Sequence, residues 1–315
     1  MKRLAIIGEC MIELNGAPFG AMEQAYGGDS LNTAVYLART TQGSLAVDYV
    51  TAMGRDALSQ GMVERWRQEG VGTGLVLTDA QRQPGLYLIQ LDDQGERTFL
   101  YWRNQSAARY LLQHPEFDGV ASRLAGYDMV YLSGISLAIL PPEDREVLFG
   151  LLAQLKRQGV QIAFDSNYRP ALWADADEAR GAYQRMLALT DLALVTLDDE
   201  QVLWGDAGPA QALTRLHRAG CREVVVKLGA DGALYSAGAD STPLAVATTP
   251  VEQVVDTTSA GDSFNAGFLA GYLQEQSPEQ CCRQGNALAG LVIRHKGAII
   301  PAAATAGLNF TPTGQ

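Results

Sequence analysis

Short apolar runs alternate along this chain with longer segments whose apolar residues return every three or four positions. The first run, RLAIIGE, has the continuity of a buried strand. In DSLNTAVYLART, Leu31, Ala34, Val35 and Ala38 share one helical face, with Asp29 or Ser30 available as a cap. LAVDYVTAMG predicts a strand and DALSQGMVERWRQEG a helix ending at Gly70. This β-α-β-α opening predicts a mostly parallel sheet with helices on both faces. The same rhythm resumes later. YDMVYLSG, VQIAFDSN and DLALVTL read as strands, and PEDREVLFGLLAQLKRQG, EARGAYQRMLALT and PAQALTRLHRAG as helices. CREVVVKLG and GALYSA follow as strands, and GDSFNAGFLAGYLQEQ and SPEQCCRQGNALAGLVIRHKG close the chain as helices. No internal repeat or low-complexity linker interrupts it, so one domain over 1–315 is expected.

Residues 85–101 break the alternation. GLYLIQLDDQGERTFLYW predicts two strands joined by a turn at Asp92–Gly95. A doubly wound sheet has no need of such a hairpin. We read it as part of a small β lid over a site, built from segments near 10–20 and 85–105; a peripheral edge hairpin would leave the same pattern.

The formal net charge of −11 makes nucleic acid and anionic membrane poor partners for the overall field of the protein. An anionic ligand therefore needs a local cluster of cations and backbone N–H groups. Cys10, Cys221, Cys281 and Cys282 show no CxxC spacing and read as reduced thiols. The three histidines fall in no zinc pattern. Gly8 and Glu9 interrupt the apolar N-terminus too early for a signal peptide, and no run approaches a membrane span. A cytoplasmic protein with no membrane partner is expected.

Three glycine-bearing loops carry the candidate chemistry. In SAGD, Ser259, Ala260 and Gly261 precede Asp262 where a helix begins, its buried face marked by Phe264, Phe268, Leu269, Tyr272 and Leu273. Free N–H groups and the helix dipole at such a start form an anion hole. An Asp in the first turn is placed to take a proton from a hydroxyl, although an ordinary cap would look the same. In YGGDSLNTAVYLAR, Gly27 and Gly28 stand directly before a helix, leaving room for a ligand, with Asn32 one turn inside. A tight turn with a solvated Asn fits equally. KLGADG, at 227–232, sits between two strands, where it covers nucleotide phosphates or serves as a plain turn.

Together, DTTSAGDSF near the C-terminus and GGDSLNTA near the N-terminus resemble the two signatures of the ribokinase-like (PfkB) sugar kinases, in the right order and separation. The resemblance covers nearly the whole chain. It implies a three-layer α/β/α domain with a mostly parallel central sheet, a small β-sheet lid, and phosphoryl transfer from ATP with Mg²⁺. Ser259 departs from the Gly or Ala most common there. GECMIEL, the lid segment QPGLYLIQLDDQGERTFLYWRNQSAAR and FDSNYRPALW are most similar to members acting on 2-keto-3-deoxy-D-gluconate. That similarity implies phosphorylation at the 6-hydroxyl.

By the same resemblance, Gly28, Asp29, Asn32, Tyr87, Tyr101, Arg103, Arg169 and Asp262 face the sugar acid. Asn167, Lys227, Gly229, Gly232, Ser259, Ala260, Gly261 and Asn286 lie by ATP. Asp262, Gly261 and Ala260 carry the transfer, and Asp256 and Thr258 are placed for a monovalent cation such as K⁺. Planar guanidinium groups at Arg103 and Arg169 suit a substrate carboxylate, although either could be a structural ion pair. Many neutral-sugar members carry an Asp near Glu13, which is given no role here. The resemblance also implies a homo-oligomer joined through the lid. Two rivals share the fold: a kinase of a neutral sugar such as fructose, and a non-catalytic sugar or nucleotide sensor. A dinucleotide-dependent dehydrogenase would need a G-x-G-x-x-G that IIGECMIE does not supply.

Overall fold

The computed structural model describes residues 1–91 and 97–311. The turn expected at Asp92–Gly95 lies outside them. Among the described residues, thirteen strands form two sheets: β1 Arg3–Ile7, β2 Met11–Gly16, β3 Met22–Gly27, β4 Ala46–Met53, β5 Gly72–Thr78, β6 Leu86–Leu91, β7 Arg97–Trp102, β8 Met129–Ser133, β9 Gln161–Asp165, β10 Leu192–Thr196, β11 Glu223–Lys227, β12 Ala233–Ser236 and β13 Leu244–Val246. The larger sheet runs β13-β12-β11-β10-β9-β8-β1-β4-β5 and is parallel from β11 through β5, with β12 and β13 antiparallel at one edge.

Side-chain alternation in the strands builds a core on each face. Ala5 and Ile7 of β1 point into one cluster, with Leu148, Leu152, Tyr183 and Leu216 from the helices Pro142–Arg157, Ala176–Leu189 and Pro209–Ala219. Leu4 and Ile6 point into the other, with Leu31, Trp66, Phe268 and Leu288 from the helices Asp29–Thr41, Ala57–Gln68, Ala260–Leu273 and Pro278–Val292. This is the expected three-layer arrangement.

The smaller sheet has four strands, β3-β2-β6-β7, with β2 parallel to β6 and the outer pairs antiparallel. It extends past the expected 10–20 segment, because β3 continues to Gly27. β3 is mostly exposed, so its sequence carries no burial pattern. The first helix corrects a second expectation. Its cap is Gly28; Asp29 is already helical, and the Ser30 hydroxyl meets the Tyr49 hydroxyl at 2.8 Å.

Candidate active site

Within the larger sheet, the next strand in the chain after β1 is β4, on one side of it, whereas β8 lies on the other side and leads on to β9, β10 and β11. The carboxyl ends of strands at such a switch point form a crevice. Here the residues after β1, those after β9 and the end of β11 meet the starts of the helices Asp29–Thr41 and Ala260–Leu273.

Gly28 opens the first of these helices. A Cβ there would stand 2.1 Å from the Glu9 carbonyl oxygen. Its missing side chain thus makes room for the chain's own backbone rather than for a ligand. The Gly28 carbonyl accepts from the Asn32 N–H at 2.7 Å, starting the helix and aiming Asn32 across the crevice. The Asn32 amide donates to the Asp262 carboxylate at 2.8 Å. Thr33, one residue on, donates its hydroxyl to the Asp262 carbonyl at 3.2 Å. Two residues 230 positions apart are thereby fixed together.

The second helix starts from Ser259, a non-glycine residue in the left-handed region at φ 66°. This turn brings the Ala260 N–H onto the Thr257 carbonyl at 3.1 Å. Of the three residues expected to carry the transfer, Ala260 has its N–H occupied, whereas the N–H groups of Gly261 and Asp262 have no backbone acceptor among the described residues. Asp262 is half-buried at the head of its helix. Burial, and then the nearby charge of Asp29, push its carboxyl up to about 7, against the stabilising hydrogen bond from Asn32. A carboxyl tuned close to neutrality is suited to general base work at physiological pH.

Around this pair the site is extensively hydrogen-bonded. The Asn167 amide donates to the Asp29 carboxylate at 2.7 Å, so Asn167, expected near the nucleotide, also holds Asp29. The Lys227 ammonium lies 3.5 Å from where a Gly261 Cβ would be and pairs with Asp165 at 3.1 Å. Asp165 and Asn265 belong to this site and were not expected. The one signal for Asn265 was an amide inside an otherwise apolar helix face.

The lid residues gather separately. The Tyr87 and Tyr101 rings are 6.0 Å apart, and the Arg103 guanidinium lies 5.8 Å from the Tyr101 ring centre. The Tyr87 hydroxyl donates to Glu13 and sits 3.1 Å from where a Cβ on Gly27, the last residue of β3, would be. Glu13 thus has a partner that its sequence did not reveal. Tyr101 is half exposed. A cavity of about 980 Å³ opens beside Tyr101, Trp102 and Arg103.

Nε and one N–H of Nη2 of Arg103 donate to the buried Glu9 carboxylate, which occupies one edge of the guanidinium and leaves Nη1 and the second N–H of Nη2 as its outer edge. Arg169 is exposed, donating to the Tyr168 carbonyl at 2.9 Å and facing Asp199 at 3.7 Å.

On the expected nucleotide side, Gly229 and Gly232 both have positive φ, and a Cβ on Gly232 would meet the Val246 carbonyl at 2.2 Å. Asn286 donates to the carbonyls of Val246 at 3.2 Å and Ala247 at 3.3 Å. Gly232 and Asn286 thus meet at the end of β13. Asp256 accepts from the Thr258 hydroxyl at 2.7 Å and from the Gly297 N–H at 2.9 Å, which shapes the loop ahead of the anion hole. Among the described residues, no group of three or more His, Cys, Asp or Glu side chains could hold a metal ion. All four cysteines are free and buried. No helix among the described residues is long and apolar enough to cross a membrane.

Comparison with known proteins places this geometry in a lineage. A 2-dehydro-3-deoxygluconokinase of Haemophilus influenzae is 56% identical over 301 residues, covering 95% of this chain and 96% of that protein. One from Escherichia coli K12 is 48% identical over 304 residues, covering 95% and 97%. An aminoimidazole riboside kinase from Salmonella enterica, solved with aminoimidazole riboside and an ATP analog, superposes with a TM-score of 0.80 at 23% identity over 96% of both chains. The profile described as pfkB family carbohydrate kinase matches residues 1–305. The chain belongs to the pfkB family of carbohydrate kinases.

Proposed function

We propose that this kinase transfers the γ-phosphoryl group of ATP to the 6-hydroxyl of 2-keto-3-deoxy-D-gluconate, giving 2-keto-3-deoxy-6-phosphogluconate. The observation that carries the chemistry is Asp262: a carboxyl raised toward neutrality, oriented by Asn32, beside two unoccupied N–H groups at a helix start. Relatives at 48% and 56% identity carry the substrate assignment. A fructokinase is the less favoured reading on the same ground.

Asp262 accepts the proton of the attacking hydroxyl. The N–H groups of Gly261 and Asp262, with the helix dipole, hold the oxygens of the phosphoryl group as it moves. Gly28, Asp29 and Asn32 border the acceptor. Tyr87, Tyr101, the Nη1 edge of Arg103 and the exposed Arg169 receive the sugar acid, with Arg169 the freer cation for its carboxylate. Asn167, Lys227, Gly229, Gly232, Ser259 and Asn286 border ATP. The small sheet closes over the acceptor and excludes water, which suppresses ATP hydrolysis.

Mg²⁺ carried by the nucleotide neutralises phosphate charge. Both nearby carboxylates already face cations: Asp165 is engaged by Lys227 and Asn265, and Asp199 lies 3.7 Å from the Arg169 guanidinium. A monovalent cation beside Asp256 and Thr258 completes the reading, and K⁺ dependence of kcat tests it. For the outer lid, where Leu100 and Trp102 are exposed, we propose a second copy of the chain as partner; sedimentation of the full chain and a Trp102→Glu variant tests this.

The substrate assignment is tested by ADP release with Mg-ATP and 2-keto-3-deoxygluconate, its galactonate epimer, fructose or ribose. Turnover confined to the sugar acids supports it. Turnover with fructose or ribose instead removes it, and silence with all four favours a sensor.

A further inference from the structure

Asn265 stands one helical turn after Asp262, fully buried beside Phe264 and Phe268. A leucine would satisfy that face, and a buried amide is costly unless fully bonded. Here it is fully bonded. Nδ2 donates to the Asp165 carboxylate at 2.8 Å and to the Tyr131 hydroxyl at 3.1 Å, while Oδ1 accepts from the Lys227 ammonium at 3.2 Å. These partners fix the amide orientation, because the flipped form would set NH₂ against an ammonium.

We propose that Asn265 is a positioning residue for phosphoryl transfer, acting through Lys227. This rests on the kinase reading above. Asn265 occupies one carboxylate oxygen of Asp165, which leaves Lys227 the other oxygen, at 3.1 Å. The ammonium is therefore not drawn into a two-oxygen contact with Asp165. Two of its three N–H groups go to Asp165 and Asn265, and the third has no acceptor among the described residues. With Nζ 3.5 Å from where a Gly261 Cβ would stand, that N–H lies beside the anion hole. Asn265 thus holds a cation beside Gly261 at the helix start.

The test is a double-mutant cycle of Asn265→Leu and Lys227→Met, read as kcat and as KM for each substrate, with thermal melts of every variant. It uses whichever acceptor the wild type phosphorylates, so a wrong substrate assignment would show in the wild type alone. Each single variant is expected to lose roughly 10²- to 10³-fold in kcat, the range for one preorganised donor. KM for the sugar should move less than about twofold. Asn265→Leu should add almost nothing in the Lys227→Met background. If Asn265→Leu keeps wild-type kcat, or costs as much without Lys227 as with it, the proposal is overturned. Should Asn265→Leu not fold, Asn265→Ala replaces it in the same cycle.

Discussion

Asn32 and Asp262 lie 230 residues apart and share a hydrogen bond of 2.8 Å, donated by the amide to the carboxylate. It opposes the burial and the Asp29 charge that push the Asp262 carboxyl up. The acid limb of the kcat–pH profile should follow these partners. Asp29→Asn removes a negative charge, lowers the Asp262 pKa and shifts the limb to lower pH. Asn32→Leu removes a donor to the ionised form and shifts it to higher pH. A limb that stays put in both variants assigns the titration to another group.

The same carboxyl should cost stability. Its pKa is about 7 in the folded protein against an ordinary 3.8, so the unfolded chain binds fewer protons between those values. Stability due to this group therefore falls as pH rises from about 4 to about 7 and is level above that. Asp262→Asn never ionises. Its Tm should exceed that of the wild type at pH 8 and converge with it near pH 4. The opposite trend would mean that Asp262 is stabilised as an anion.

Ser259 turns the chain into the anion hole with φ 66°, a region that costs a non-glycine residue roughly 1 kcal/mol. Ser259→Gly should hold or raise Tm and leave kcat within about twofold. Ser259→Val, β-branched and unsuited to this region, should lower both. A strongly inactive glycine variant would show that the hydroxyl takes part in the reaction.

Glu9 and Arg103 form an ion pair whose side chains are 1% and 9% exposed. Glu9→Ala leaves a buried cation unpaired and should cost roughly 3–5 kcal/mol in chemical denaturation. Arg169 is different, with a side chain 53% exposed. Arg169→Ala should change stability by less than about 0.5 kcal/mol while raising KM for the sugar acid far more than KM for ATP. Equal effects on the two KM values remove Arg169 from the carboxylate site.

These contrasts mark what a sequence can and cannot convey here. β1, β8, β9, β10 and β11 are continuous apolar runs buried on both faces, so periodicity reveals them. β3 is almost wholly exposed and β5 begins Gly-Thr-Gly, so neither has a pattern to read. Asp262 stands out because its loop and helix are local. The partners of Arg103 and Lys227 do not, because Glu9 is 94 residues away and Asp165 is 62. An arginine among aromatics reads as a free ligand until the fold supplies its counter-ion. Asn286 likewise bonds to Val246, 40 residues away, and Asp256 to Gly297, 41 away.

The central claim is that Asp262 is the base, and single-turnover phosphoryl transfer by Asp262→Asn tests it most directly. Both substrates are supplied above their dissociation constants, and melting curves confirm the fold. The account predicts a loss of at least about 10³-fold in the transfer step, with binding of ATP and sugar acid nearly unchanged. A variant that transfers phosphoryl within about tenfold of the wild-type rate would make Asp262 a helix-start residue, with the proton leaving by another route.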